Sequence, residues 1–251
     1  MEEKQTDKML SHKGVAASSP IADVEEASEE RISNVKFEEA MAGSKYFKPF
    51  RMLFRRRGMD MCWELALGGQ SVAAVLYHTE RKQLLFVKQF RPGYFITTVR
   101  ALPENEGKAF DDIRWESYPI QRGLTVELCA GGVDEPGKSP LYHIQKEILE
   151  ECGYRLPESS IRPIHSYVKS VALAGSFQHM FYAELDESMR DPTGGGGLVA
   201  EGEIIQNVFM DIEETKAMIG RGCSPISLIM GFNWWMLNAP QHGHLDAKEN
   251  S

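Results

Sequence analysis

Three glutamates, Glu147, Glu150 and Glu151, stand three and four residues apart in the stretch KEILEECGY. In an α-helix this spacing gathers their side chains on one face, where like charges repel one another. A bound cation would remove that repulsion, and carboxylate oxygens are the ligands that a hard ion such as Mg2+ prefers. An acidic face in open solvent is the alternative interpretation of the same residues.

The element that must carry these acids is a helix with a clear beginning and end. Ser139 is expected to cap its N-terminus, and Pro140 suits the first turn, where an N–H group would have no partner. Gly153 stands where helices often end in a left-handed residue. An apolar stripe at the helical period, on the face away from the glutamates, predicts packing on a core: Leu141, Ile144, Ile148 and Cys152.

The segment LTVELCAGGVD leads into this helix and is predicted to be a single strand followed by a glycine loop. Leu124, Val126 and Leu128 alternate with other residues at the strand period, so Glu127 lies on the face opposite the aliphatic side chains. The glycines that follow allow the backbone to approach an ion or a phosphate closely.

The glycine loop and the helix together resemble the Nudix box, whose family pattern is G-x5-E-x7-R-E-U-x-E-E-x-G-U, where U is apolar. On this sequence the first glycine is Gly132, and the acids of the pattern fall on the three glutamates above. Lys138 and Lys146 stand where the family has a glutamate and an arginine. In the family those two mainly brace the loop against the helix. The differences therefore concern loop geometry more than the metal site.

The resemblance implies a fold, a cofactor and a set of metal ligands. The fold is the α/β/α sandwich of the family, an α/β protein with a mixed sheet and an N-terminal antiparallel β extension. The cofactor is Mg2+, or Mn2+ in its place. The implied ligands are the carboxylates of Glu147, Glu150 and Glu151 and the backbone carbonyl of Ala130.

Two further segments, KQFRP and GGGGLVAEGE, resemble the ADP-ribose and UDP-sugar branch of the family. By this resemblance Arg91 binds substrate phosphate, which suits the fork of a guanidinium group, and Glu127 serves the metal or the substrate. Glu201 is implied as the catalytic base, with Glu203 next and Glu151 as a further possibility. The four glycines before them cannot hold a fixed shape unaided, which predicts a mobile loop that closes over substrate.

The implied reaction is Mg2+-dependent hydrolysis of the diphosphate bond of a nucleoside diphosphate sugar. UDP-glucose, cleaved to UMP and glucose 1-phosphate, is the expected substrate, and ADP-ribose is the alternative. A non-catalytic nucleotide-binding module of the same fold is an alternative of another class, favoured by Lys138 and Lys146. An acidic calcium-binding protein is disfavoured because the chain has no EF-hand spacing.

The whole chain of 251 residues carries a net charge of −8, which argues against nucleic acid as a partner. It has no apolar run long enough for a membrane span and no signal-like N-terminus. Its four cysteines show no CxxC spacing, so we expect reduced thiols in a cytoplasmic protein.

Composition and pattern divide the chain into four parts. Residues 1–30 are polar and acidic and are predicted to be disordered. Residues 31–80 are predicted as a β extension, which by resemblance builds a homodimer. Residues 81–240 form the predicted Nudix hydrolase domain, with a long connection over 93–122, and residues 241–251 are predicted to be frayed.

Overall fold

In this computed structural model, residues 30–37 and 47–238 are described. The N-terminal tail before Glu30 and the C-terminal segment after Asn238 lie outside these ranges, so the predictions of disorder and fraying remain predictions. Within the described ranges the chain forms a two-stranded sheet and a seven-stranded mixed sheet with helices on both faces. This architecture confirms the predicted α/β sandwich.

The strands have the following bounds: β1 Phe47–Arg56, β2 Met59–Gly68, β3 Ser71–His78, β4 Gln83–Phe90, β5 Leu124–Glu127, β6 Cys129–Gly132, β7 Arg162–Lys169, β8 Ser176–Leu185 and β9 Ile205–Met210. The helices are α1 Pro92–Arg100, α2 Pro140–Glu147, α3 Ile212–Gly220 and α4 Ile226–Asn238. A π-helical turn, Ile148–Cys152, continues α2.

β1 and β2 pair along their whole length and form a ribbon of their own. Arg57 and Gly58 make the turn, and both have positive φ angles, of 52° and 78°. Such angles are those that a two-residue hairpin loop favours. The sequence also places β3 in this N-terminal extension, but every strand that pairs with β3 belongs to the large sheet. The described extension is therefore the ribbon alone.

β3 is the centre of the large sheet and is buried almost throughout. It runs parallel to β8 on one side and antiparallel to β6 and β4 on the other. β3 and β4 pair only at Leu76–His78 and then diverge, and β5 and β6 fill the gap between them. The segment predicted as one strand is thus two strands with a break at Leu128, because each half pairs with a different neighbour.

Each face of this sheet packs against a helix. α2 and its π-helical turn cover one face through Ile144, Ile148 and Cys152, which are fully buried. α4 covers the other face through Leu228, Phe232 and Trp235. These two cores make the sandwich, and they fix α2 beside the opening between β3 and β4.

The segment 93–122, predicted as a long connection, contains α1 followed by short 3-10 turns. Pro92 opens the helix, and Phe95 and Val99 pack with Trp115 in a small third core. β-branched residues and a glycine give this stretch weak helix propensity, and packing outweighs it. Residues 34–37, which the sequence suggests are strand-like, lie outside any strand.

Candidate active site

The acid-bearing helix has the predicted ends. The Ser139 hydroxyl accepts a hydrogen bond from the Tyr142 N–H group at 3.2 Å, and Gly153 closes the helix with a φ of 75°. Its last turn differs from the expected α-helix because residues 148–152 are π-helical. Hydrogen bonds from i to i+5 change the angular spacing of the side chains, and such turns occur often at functional sites.

Glu151 is affected most by this turn. The sequence places it with the other two acids on a face away from the core, whereas its side chain is only 3% exposed. Its Oε2 accepts a hydrogen bond from the Ala130 N–H group at 3.0 Å, and the Cys129 thiol donates another. Burial raises the pKa of Glu151 to about 8, even though these two donors favour the charged form. The charges of Glu147 and Glu203 raise it further.

Glu147 lies against the glycine loop. A Cβ atom added to Gly131 would stand 1.8 Å from Glu147 Oε1, so a larger residue there would require the Glu147 carboxylate to move. Burial and the nearby charges of Glu150 and Glu203 raise the pKa of Glu147 to about 7. The glycine backbone thus approaches the Glu147 carboxylate closely, and its expected approach to an ion or a phosphate stays a prediction.

Glu150 pairs with a lysine of the same helix, and its Oε1 lies 3.9 Å from Lys146 Nζ. The same ammonium group lies 3.2 Å from Glu135 Oε1. Lys146 stands at the arginine position of the motif and Lys138 at the glutamate position. The loop is thus joined to the helix by a different acid, three residues earlier in the chain than the motif has it.

His143 adds a second connection between loop and helix, and it is buried. Its Nε2 accepts a hydrogen bond from the Glu135 N–H group at 3.1 Å, and its Nδ1 lies 2.8 Å from the Ser139 carbonyl oxygen. With Nε2 accepting, Nδ1 carries the proton and donates to that carbonyl. Neither His143 nor Glu135 was predicted from the sequence as part of the site. The pairing of Glu135 with Lys146 could have been predicted, because the loop contains an acid and a lysine stands at the motif's arginine position.

Arg91 and Glu127 form a two-point ion pair at the opening between β3 and β4. Arg91 Nε and Nη2 each donate to one Glu127 oxygen at 2.8 Å. The pKa of Glu127 is lowered: burial opposes ionisation, and the Arg91 and Thr125 hydrogen bonds more than compensate. The fork of Arg91 is thereby held in one orientation, and its remaining N–H groups can still bind an anion.

The loop after the four glycines brings Glu203 towards the buried acids. Glu203 is exposed, and its charge acts on the pKa values of Arg91, Glu147 and Glu151. The side chain of Glu201 lies outside the described part of the structure. Of the two residues predicted as bases in this loop, Glu203 is therefore the one whose surroundings are known.

The donor set near the buried acids suits a hard cation. In the described part of the chain, no three His, Cys, Asp or Glu side chains already stand close enough together to hold a metal ion. Glu147 and Glu151 nevertheless have raised pKa values and no Lys or Arg partner within 4 Å among the described residues. A divalent cation would supply the missing counter-charge, and oxygen ligands are those that Mg2+ prefers.

Comparison with known proteins identifies close relatives along most of the chain. Uridine diphosphate glucose pyrophosphatase NUDT14 of Bos taurus is 35% identical over 200 residues, which are 77% of this chain and 90% of that protein. The Mus musculus protein of the same name is 34% identical over 207 residues, 80% of this chain and 93% of its own. GDP-mannose pyrophosphatase of Cronobacter sakazakii is 26% identical, over 64% of this chain and 72% of its own.

A solved structure described as an ADP compounds hydrolase shares the fold. Its TM-score is 0.53 at 13% sequence identity, and the match covers 79% of this chain and 91% of that chain. No protein-family model matches the sequence. The two pyrophosphatases named for uridine diphosphate glucose match this chain at 34–35% identity over 90% or more of their own length. The chain therefore belongs to the Nudix hydrolases, in their branch of nucleoside diphosphate sugar pyrophosphatases.

Proposed function

We propose that this enzyme hydrolyses the diphosphate bond of a nucleoside diphosphate sugar with Mg2+ as cofactor, and that UDP-glucose is its substrate. Water would add to one phosphorus while the bridging oxygen leaves with the other phosphate, giving UMP and glucose 1-phosphate. The observation that carries the proposal is a pair of glutamates with raised pKa values, the buried Glu151 and the half-buried Glu147, which have no Lys or Arg within 4 Å among the described residues. Arg91, oriented by Glu127, is near enough for the charge of Glu151 to raise its pKa.

The carboxylates of Glu147, Glu150 and Glu151 would hold the ion, with the carbonyl of Ala130 as a further ligand. When bound, Mg2+ or Mn2+ would neutralise the diphosphate and lower the pKa of water at the site. Binding of the ion would also convert the two raised-pKa acids to their charged form, because a nearby positive charge favours the carboxylate. Burial of Glu151 and its Ala130 N–H bond would keep one carboxylate oxygen fixed during this change.

Arg91 would bind the substrate diphosphate through the N–H groups that Glu127 does not occupy. Its guanidinium fork matches phosphate oxygens, and the charge would stabilise the departing phosphate. Glu127 would act by orienting that fork, which two hydrogen bonds of 2.8 Å hold in place. Glu127 thus serves the substrate site through Arg91.

A glutamate of the loop would accept the proton of the attacking water. Glu201 is the first choice by its place in the sequence, and Glu203 is supported by its electrostatic contact with the buried acids. Glu151 remains a further choice for the base. General bases of this kind contribute rate factors of about 100 to 10,000.

The substrate assignment rests on the relatives named above. Two of them are named for UDP-glucose and one for GDP-mannose, and the structural neighbour is described by ADP compounds. Rates of nucleotide release from UDP-glucose, ADP-ribose and GDP-mannose, each with and without Mg2+, would test the choice. We expect UDP-glucose to be turned over fastest and only with the metal. Preference for ADP-ribose would favour the alternative.

The quaternary structure and location are also proposals. We infer a homodimer built through the β1–β2 ribbon, and a cytoplasmic enzyme. The inference of a homodimer is supported by large apolar side chains that the ribbon exposes to solvent. They are Met52, Leu53, Met59 and Trp63. No helix in the described part of the chain has the length and apolar character needed to cross a bilayer.

A further inference from the structure

The last carbonyl groups of a helix have no partners within it and must find them elsewhere. In the acid-bearing helix four carbonyl groups of the last turn accept hydrogen bonds from two other segments of the chain, and one of them, Leu149 O, also accepts from the Gly153 N–H group at 3.0 Å. The pairs are Gly195 N–H to Leu149 O (2.9 Å), Gly197 N–H to Glu150 O (3.0 Å), Gly196 N–H to Glu151 O (3.1 Å) and Asn207 Nδ2 to Cys152 O (2.9 Å). Two of these carbonyls belong to predicted metal ligands.

The glycines are needed for this close approach. A Cβ atom on Gly194 would lie 2.6 Å from the Leu149 carbonyl oxygen, and one on Gly153 would lie 2.9 Å from the Gly194 oxygen. Gly195, Gly196 and Gly197 all have positive φ angles, of 92°, 92° and 78°. Side chains are therefore excluded by contact at the first position and by backbone conformation at the other three.

The same contacts hold the acidic loop at both ends. After the glycines the chain leaves the helix at Leu198, and it returns where the Ile205 N–H group donates to the Gly196 oxygen at 3.0 Å. The segment between carries Glu201 and Glu203. Its position relative to the buried acids is thus set by backbone hydrogen bonds to the helix that bears those acids.

We propose that Gly194–Gly197 and Asn207 are positioning residues, a clamp that fixes the acidic loop to the end of the metal-binding helix. The proposal rests on the function proposed above and extends it to residues that touch neither metal nor substrate. It also revises the role expected of the glycines. They permit close packing on the helix, and residues 198–204 are the part of the loop that lies between its two attachments.

The direct test is Gly194→Ala, which adds only a methyl group against the Leu149 carbonyl. We expect kcat for UDP-glucose to fall about 100-fold with KM nearly unchanged, since a displacement of about 1 Å at a reacting group has that effect. Gly220→Ala is the matched control, because a Cβ there would meet no atom within 4 Å. Its kcat should equal that of the wild type.

Asn207→Ala is the second variant, and it covers the case that Gly194→Ala fails to fold. It removes one side-chain donor from the Cys152 carbonyl and leaves the glycines intact. We expect kcat to fall about tenfold, as for other residues that orient ligands from outside the site. Amide hydrogen exchange at Gly195–Gly197 should also become faster, a change that loss of turnover by other routes would not produce.

Unchanged kcat and unchanged exchange at these glycines in Asn207→Ala would overturn the clamp. Faster exchange there together with lower kcat, while Gly220→Ala behaves as wild type, would support it. Amide hydrogen exchange can be measured without turnover, so it tests the clamp independently of the proposed function. If the wild-type chain hydrolysed no nucleotide sugar, the proposed function would fail, and exchange in the variant would still decide for or against the clamp.

Discussion

Glu147 and Glu151 are acids whose surroundings favour the neutral form. Burial is the main cause, and mutual repulsion with Glu203 adds to it. A divalent ion bound beside these two carboxylates would supply the positive charge that no nearby Lys or Arg among the described residues provides. The raised pKa values therefore also predict how the metal-free protein responds to pH.

We expect the metal-free protein to lose thermal stability as the pH rises from about 5 to about 8. The folded state keeps protons on Glu147 and Glu151 up to about 7 and about 8, whereas the unfolded chain releases them near 4.5. Over this range the folded state binds more protons, so raising the pH favours unfolding. Tm measured in EDTA across the range should fall more steeply for wild type than for the Glu147→Gln, Glu151→Gln double variant. Equal slopes would contradict the assignment.

The identity of these residues could be predicted from their spacing, but their environment could not. The motif located Glu147, Glu150 and Glu151 by type and number. It did not reveal that a π-helical turn buries Glu151, because that turn leaves no pattern in the residue types. Similarly, Arg91 and Glu127 were each recognised, while their pairing depends on two strands that meet only in the folded sheet.

At the scale of elements, the glycine loop and α2 act as one unit. Gly131→Ala should reduce kcat for UDP-glucose by about 100-fold, because the added Cβ would occupy the position of the Glu147 carboxylate and displace it by about 1 Å or more. Gly69→Ala, where a Cβ meets no atom within 4 Å, serves as the control and should keep wild-type turnover. Steady-state kinetics at saturating Mg2+ would measure both. Full activity of Gly131→Ala would show that Glu147 is free to move.

The brace between this loop and the helix makes a separate prediction about stability. His143→Ala should lower the free energy of unfolding by about 1–3 kcal/mol, since it empties the space of the buried imidazole and leaves the part-buried Glu135 N–H group without its partner. Lys146→Ala should cost at most about 1 kcal/mol, because its ion pairs are solvent-exposed. Urea denaturation would compare the two variants. A larger loss for Lys146→Ala would mean that the ion pair, not the imidazole, carries the brace.

Elements with local signals were predictable, and those fixed by distant pairing were not. Ser139 and Gly153 define α2 through their own backbone chemistry. The run SVAAVLYH is recognisable as a strand, yet its place in the centre of the sheet depends on β8, about a hundred residues later. α1 lacks strong helix formers and owes its existence to packing on Trp115.

In the molecule as a whole, the β1–β2 ribbon is the part whose stability a single chain accounts for least. A two-stranded ribbon is marginally stable alone, and Leu53 is 74% exposed on it. We expect a homodimer in light scattering, and Leu53→Glu should shift it to monomer by placing a charge in the interface. Lys82→Gln, which changes the net charge by the same amount at an exposed site outside the ribbon, should remain dimeric. A monomeric wild-type protein would contradict the inferred interface.

The proposed hydrolysis of a nucleotide sugar requires both Glu151 and a divalent ion. The decisive experiment measures the release of UMP from UDP-glucose by wild type, Glu151→Gln and Glu158→Gln, each with and without Mg2+. We expect metal-dependent release by wild type and by Glu158→Gln, which changes an exposed acid that is not one of the site residues. Glu151→Gln should be slower by about 100- to 10,000-fold. Release at the wild-type rate by Glu151→Gln, or release without metal, would contradict it.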